Sequence, residues 1–118
     1  MTVQINTAGR TNTAGKTKTA GQIVSKEDAF AWIEKYEKEL RHDKSADTKS
    51  IFFGKEILLE LLSGDSAGIT FFFGLKHSDF ANKEVVNLVL VGTTEDGDLL
   101  WDKPADFGTP CPPYCAKY

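Results

Sequence analysis

Between Ser25 and Arg41 apolar side chains recur at helical spacing: Ala29, Ile33, Tyr36 and Leu40, flanked by Phe30 and Trp32. That period predicts an amphipathic helix over about residues 26–41. Ser25 with an acid three residues later, Asp28, reads as a capping box at its start. Glu34/Lys38 and Glu37/Arg41 are favourable i, i+4 pairs on the polar face, and Arg41 and His42 place positive charge at the negative end of the helix dipole. A polar loop, 42–49, follows. Phe53, Ile57 and Leu61, with Leu58 and Leu62 beside them, predict a second helix that Ser63-Gly64 ends. Gly54 leaves its first turn open, so Ile51-Phe52-Phe53 has an extended alternative.

Beyond Gly64 the period changes from helical to extended. Residues 67–75 and 85–92 are β-branched, aromatic and bounded by turn residues, and read as two strands joined by a hairpin loop over 76–84. Asp96-Gly97 is a short-turn signal that introduces a third strand, Leu99-Leu100-Trp101. The expected fold is therefore α+β: two helices packed on a small antiparallel sheet, order α-α-β-β-β, with an N-terminal extended arm. Residues 25–118 form the domain and residues 1–24 the arm or tail.

The sheet carries apolar side chains on both faces. Ile69, Phe71 and Phe73 point one way and Phe72 the other; Val86, Leu88 and Leu90 share one face, with Val89 and Val91 opposite. An antiparallel sheet with one wet face alternates apolar with polar. Two helices cover one face, so the second face requires the arm, the C-terminal segment or another subunit. Homo-oligomerisation through the second sheet face or the N-terminal arm is the expectation.

Residues 1–22 contain Arg10, Lys16 and Lys18 and no acid. The chain as a whole carries −3, which leaves −6 for residues 23–118. An acidic body repels phosphate, so nucleic acid is not an expected partner. Thr-Ala-Gly recurs at residues 7, 13 and 19 with a period of six, too few copies for a solenoid. An extended arm with a β-branched face (Val3, Ile5, Thr7, Thr11, Thr13, Thr17, Thr19) and an unstructured polar tail both remain open. Gly15-Lys16-Thr17 resembles the end of a phosphate-binding loop, but the glycine spacing and the absence of a following helix exclude that reading. No apolar run approaches the roughly 20 residues of a membrane span, and Met1–Asn6 shows no secretory signal. The expected setting is cytoplasmic, without membrane association.

The chain of 118 residues has two histidines, His42 and His77, in polar loop contexts that read as solvated. Glu95, Asp96 and Asp98 lack the spacing of a calcium loop. Phe71 and Phe73 lack the basic neighbours of an RNA-stacking sheet. No nucleophile elbow or zinc-protease motif occurs, so a non-catalytic role without cofactor is expected.

The segment Cys111-Pro-Pro-Tyr-Cys115 is the one distinctive motif. Its cysteines are four residues apart, not the three of a redox Cys-x-x-Cys. In a reducing compartment free or loosely paired thiols rank first, a disulfide second, and an intersubunit metal site with Cys111 and Cys115 as candidate ligands third; dithiol catalysis comes last. A disulfide requires Cα atoms about 4.4–6.8 Å apart, within reach of a tight turn but not of an extended polyproline segment.

Four segments carry a resemblance: Phe53–Leu62, Gly68–Gly74, Leu88–Gly92 and, most distinctively, Asp106-Phe-Gly-Thr-Pro-Cys-Pro-Pro-Tyr-Cys115. From the first helix to Cys115 the chain resembles a family of small uncharacterised bacterial proteins that end in Cys-Pro-Pro-x-Cys. The resemblance implies the helix, helix and hairpin layout and transfers no activity. Two function classes follow. One is a self-associating interaction module; the other is a thiol-based or metal-binding role for the cysteine pair.

Overall fold

A computed structural model of the chain describes residues 18–116. The Thr-Ala-Gly repeat and the proposed extended arm lie almost wholly outside the described residues. Six elements follow in order: α1 (Lys26–Glu39), β1 (Ser50–Phe52), α2 (Lys55–Leu61), β2 (Gly68–Ser78), β3 (Lys83–Thr93) and β4 (Thr109–Cys111). The α+β class stands: two helices and four strands in antiparallel pairs, β1 with β4 and β2 with β3.

The order of elements is α-β-α-β-β-β rather than α-α-β-β-β. The extended alternative at Ile51-Phe52 is the one realised. Its partner is the stretch just before the cysteine loop, in the register Ser50↔Cys111, Ile51↔Pro110, Phe52↔Thr109. The expected third strand at Leu99–Trp101 is reduced to a single bridge, Thr93↔Leu99, after the Asp96-Gly97 turn. That turn does form: Gly97 has φ +88°, and the Thr94 N–H donates to the Asp98 carbonyl at 3.0 Å. A glycine is needed there because side-chain-bearing residues seldom adopt positive φ.

The chain divides into two compact units. The first contains Gly54–Phe72 and Val89–Asp106, hence α2 and one end of the β2–β3 hairpin. Its core is Leu61, Leu90, Val91 and Ala105. Leu90 and Val91 are neighbours on opposite faces of β3 and both are fully buried, so both faces of the strand are covered here. Leu90 and Ala105 exchange both backbone hydrogen bonds, at 2.9 and 2.8 Å. Gly92 is obligatory for a different reason: a Cβ there would stand 2.7 Å from the Leu61 carbonyl oxygen. Trp101 stacks on Phe72 with ring centroids 5.7 Å apart.

The second unit contains Gln22–Phe53, Phe73–Leu88 and Phe107 onward. Here the caps behave as the sequence requires. Ser25 Oγ accepts from the Asp28 N–H at 3.0 Å, and Glu27 and Asp28 occupy the first turn of α1. Ser78 closes the hairpin: its carbonyl accepts from the Asn82 N–H at 2.7 Å, and its Oγ accepts from Ala81 N–H. Asn82 takes φ +57°, a conformation that asparagine tolerates better than most side chains. Phe107 also has positive φ, +63°, and precedes Gly108. A Cβ on Gly108 would lie 2.6 Å from Ile51 Cγ2 and 2.8 Å from the Phe52 carbonyl oxygen. The glycine is what lets β4 lie against β1.

Candidate functional site

The second unit holds the features on which a functional reading can rest. The first is the cysteine loop. Cys111 and Cys115 are joined by a disulfide, with Cα atoms 4.6 Å apart. This corrects the expectation of free thiols. The physical reason is the turn: the Tyr114 N–H donates to the Pro110 carbonyl at 3.0 Å, so the chain doubles back instead of advancing as polyproline. Each sulfur is thereby committed to the other rather than available as a metal-ligating thiolate. Among the described residues no three or more His, Cys, Asp and Glu side chains are grouped to hold a metal ion. His42 is exposed, and the exposed His77 lies 3.4 Å from Asp79 Oδ1; among the described residues neither is hydrogen-bonded or ion-paired to the cysteine loop.

The two cysteines differ in environment. Cys111 is a β4 residue, 2% exposed, and its carbonyl accepts from the Lys49 N–H at 2.8 Å. Cys115 is exposed. Strand pairing holds the first sulfur inside, and the turn delivers the second to the surface.

The second feature is a charged clamp behind α1. Arg41 is 6% exposed, and three acceptors use its guanidinium: Glu37 Oε1 at 2.7 Å, the Asp47 carbonyl at 2.6 Å and the Lys44 carbonyl at 2.8 Å. The sequence presents Glu37/Arg41 as a surface i, i+4 pair. Folding the 42–49 loop back over the helix end converts it into a part-buried one. The Tyr36 hydroxyl donates to the Thr48 carbonyl at 2.8 Å, and the Thr48 hydroxyl donates to the Val86 carbonyl at 2.6 Å. Those two bonds tie α1, the loop and β3 together within the unit.

Lys83 extends the clamp. Its ammonium lies 2.8 Å from Asp47 Oδ1 and 3.5 Å from Asp43 Oδ2. The Lys83 hydrogen bond, followed by the Asp43 backbone N–H, holds the Asp47 carboxyl below the usual carboxylate range. Ser45, through its hydroxyl and its backbone N–H, does the same for Asp43. The Asp47 hydrogen bond in turn raises Lys83. A depressed carboxyl stabilises the fold above its unfolded pKa, about 3.9, and loses that contribution as pH falls through the folded value. A raised lysine contributes below about 10.4 and loses its contribution as pH climbs through its folded value. The clamp is complete between those limits. An NMR titration of the Asp47 carboxyl carbon is expected to show a midpoint below about 3.9 that moves upward in Lys83→Met. An unchanged midpoint in the variant would remove Lys83 as the cause.

The third feature is uncovered apolar surface. α1 has no buried residue, and Phe30, Trp32, Ile33 and Leu40 are all exposed. On β2, Phe73 is 83% and Leu75 68% exposed; Phe107 reaches 87%, with the Lys76 ammonium 4.0 Å above its ring. An open groove of about 520 Å³ runs along α1, with Phe30 and Ile33 as its apolar part and Lys38, Lys44, Lys49, Glu34 and Glu37 around them. A smaller cavity of about 210 Å³ in the first unit is lined by Glu60, Asp65, Asp102 and Lys103 among others. Ser63 also lines it, and its hydroxyl donates to the Glu60 carbonyl at 2.6 Å.

The cysteine pair and the two-sided apolar strands were visible in the sequence. The burial of Arg41 and the uncovered face of α1 were not, because i, i+4 spacing is the same for a surface pair and a buried one. Compared with protein-family models, curated proteins and solved structures, the chain matches none.

Proposed function

We propose that this protein is a non-catalytic interaction module that associates with a second copy of itself through the apolar surface of its second unit. The observation that carries the reading is α1: a 14-residue amphipathic helix with no buried residue. Isolated helices shorter than about 12–15 residues are marginal in water, and helices in proteins draw most of their stability from a packed apolar face. Phe30, Trp32 and Ile33 need a cover, and Phe73 and Leu75 need one in the same unit.

Charge at the groove suits a second copy as that cover. Its rim is mixed, with Lys38, Lys44 and Lys49 beside Glu34 and Glu37. A second copy brings the same two signs and can set each against its opposite. A two-fold contact also uses each side chain twice, so the benefit of burial doubles.

The test is molar mass by light scattering and sedimentation equilibrium at micromolar concentration. Twice the monomer mass is expected. Phe73→Ser removes an aromatic ring from both halves of a two-fold interface and is expected to weaken association by about 3 kcal/mol or more, a hundredfold. A strictly monomeric wild-type protein at 100 μM would sink the reading.

A further inference from the structure

The disulfide is asymmetric in a way that selects where chemistry happens. Both sulfurs belong to one five-residue loop, yet Cys111 is buried in strand β4 and Cys115 is exposed beyond it. Thiol–disulfide exchange requires a thiolate to approach one sulfur in line with the S–S bond, and access decides which sulfur is attacked. Cys111, only 2% exposed, is shielded from an incoming thiolate. Approach to Cys115 is open.

We propose that Cys115 is a site of reversible S-thiolation by low-molecular-weight thiols, with Cys111 as the buried resolving cysteine. An incoming thiolate forms a bond to Cys115 Sγ, and the Cys111–Cys115 bond breaks. The electron pair leaves on Cys111 Sγ, which takes a proton from water. The incoming thiol is thereby bound as a mixed disulfide, and no net oxidation occurs. In reverse, Cys111 Sγ gives up its proton, attacks Cys115 Sγ and expels the small thiolate.

The surrounding bonds confine the change to the loop. The backbone of Cys111 stays paired with Ser50, and its carbonyl stays bonded to the Lys49 N–H, because neither contact uses the sulfur. The Tyr114 N–H to Pro110 carbonyl bond holds the turn, with the Tyr114 ring exposed beside Cys115. Exchange therefore places a charged, bulky adduct on the surface next to an aromatic ring while β1 and β4 remain zipped. The chain has only these two cysteines, so the position of an adduct is unambiguous.

The experiment treats the full-length disulfide form with reduced glutathione, alkylates remaining thiols under denaturing conditions, and cleaves with chymotrypsin after Tyr114, which separates the two cysteines. The glutathione adduct is expected on the Cys115 fragment and the alkyl group on the Cys111 fragment, in at least tenfold excess over the reverse arrangement. A second arm exposes folded Cys111→Ser and Cys115→Ser proteins to oxidised glutathione. Cys115 in the first is expected to react at least a hundredfold faster than Cys111 in the second, with the difference lost in denaturant. Equal labelling of the two fragments, or a native Cys111 that reacts as fast as Cys115, overturns the proposal. Should Cys115→Ser not fold, the wild-type fragment ratio decides alone.

Discussion

Arg41→Ala is expected to destabilise the protein by about 3–5 kcal/mol, the range for removing one partner of a buried ion pair. The expected size follows from what the substitution leaves behind. The Glu37 carboxylate is only partly exposed, and its Oε2 is already buried without a partner. Oε1 depends on Arg41 at 2.7 Å, while Lys44 is 3.8 Å away. Loss of the guanidinium also frees the carbonyls of Lys44 and Asp47, so the 42–49 loop loses its attachment to the end of α1. Unpaired buried polar groups carry their full desolvation cost. Arg41→Lys keeps the charge but reaches one acceptor at a time, and an intermediate loss is expected. The double variant Arg41→Ala/Glu37→Leu should recover part of the stability, because it removes the stranded carboxylate as well. Urea denaturation followed by Trp32 fluorescence, in a Trp101→Phe background, reads the effect. A loss of under 1 kcal/mol would show that Arg41 is no more than a surface partner.

In the first unit, Leu90→Ala is expected to cost about 2–5 kcal/mol, the range for truncating a fully buried leucine. Leu90 is 0% exposed, and the described residues of the unit include few other buried side chains to collapse into the space. The substitution leaves the backbone pairing with Ala105 in place, since both of those bonds are main-chain. The cost is therefore the lost transfer free energy of the removed atoms together with the cavity. Val86→Ala, on the same face of the strand but 37% exposed, is the control and should cost less than about 1 kcal/mol. Trp101, stacked on Phe72 in the same unit, serves as the probe in a Trp32→Phe background. Equal effects at the two positions would mean that Leu90 is not the core residue its burial makes it.

The uncovered apolar surface connects these energetics to the proposed function. So few fully buried side chains among the described residues leave a small reservoir of hydrophobic stabilisation there within one copy. Association through α1 and β2 would add to that reservoir as well as provide a contact. Stability and self-association are then expected to depend on protein concentration together, as mass action requires.

Much of the local structure follows from neighbouring residues alone. The Ser25 cap, the helical period of 29–40, the break at Gly64, the Asp96-Gly97 turn and the two long strands are local signals, and each appears in the structure. The Cys-Pro-Pro-Tyr-Cys loop was likewise identifiable as the distinctive motif. Tertiary structure decided what depends on residues far apart in the chain. Strands β1 and β4 are three residues each, too short to show a period, and they exist only because Gly108 permits residues 50–52 and 109–111 to meet. Leu99–Trp101 had the right composition for a strand but found a single bridge, because a strand is completed by its partner and not by propensity. Whether Arg41 is wet or buried depends on where the 42–49 loop folds. Whether Cys111 and Cys115 are equivalent depends on which of them the β1–β4 pairing encloses. Spacing along the chain placed both cysteines in one loop; long-range packing made one of them accessible and the other not.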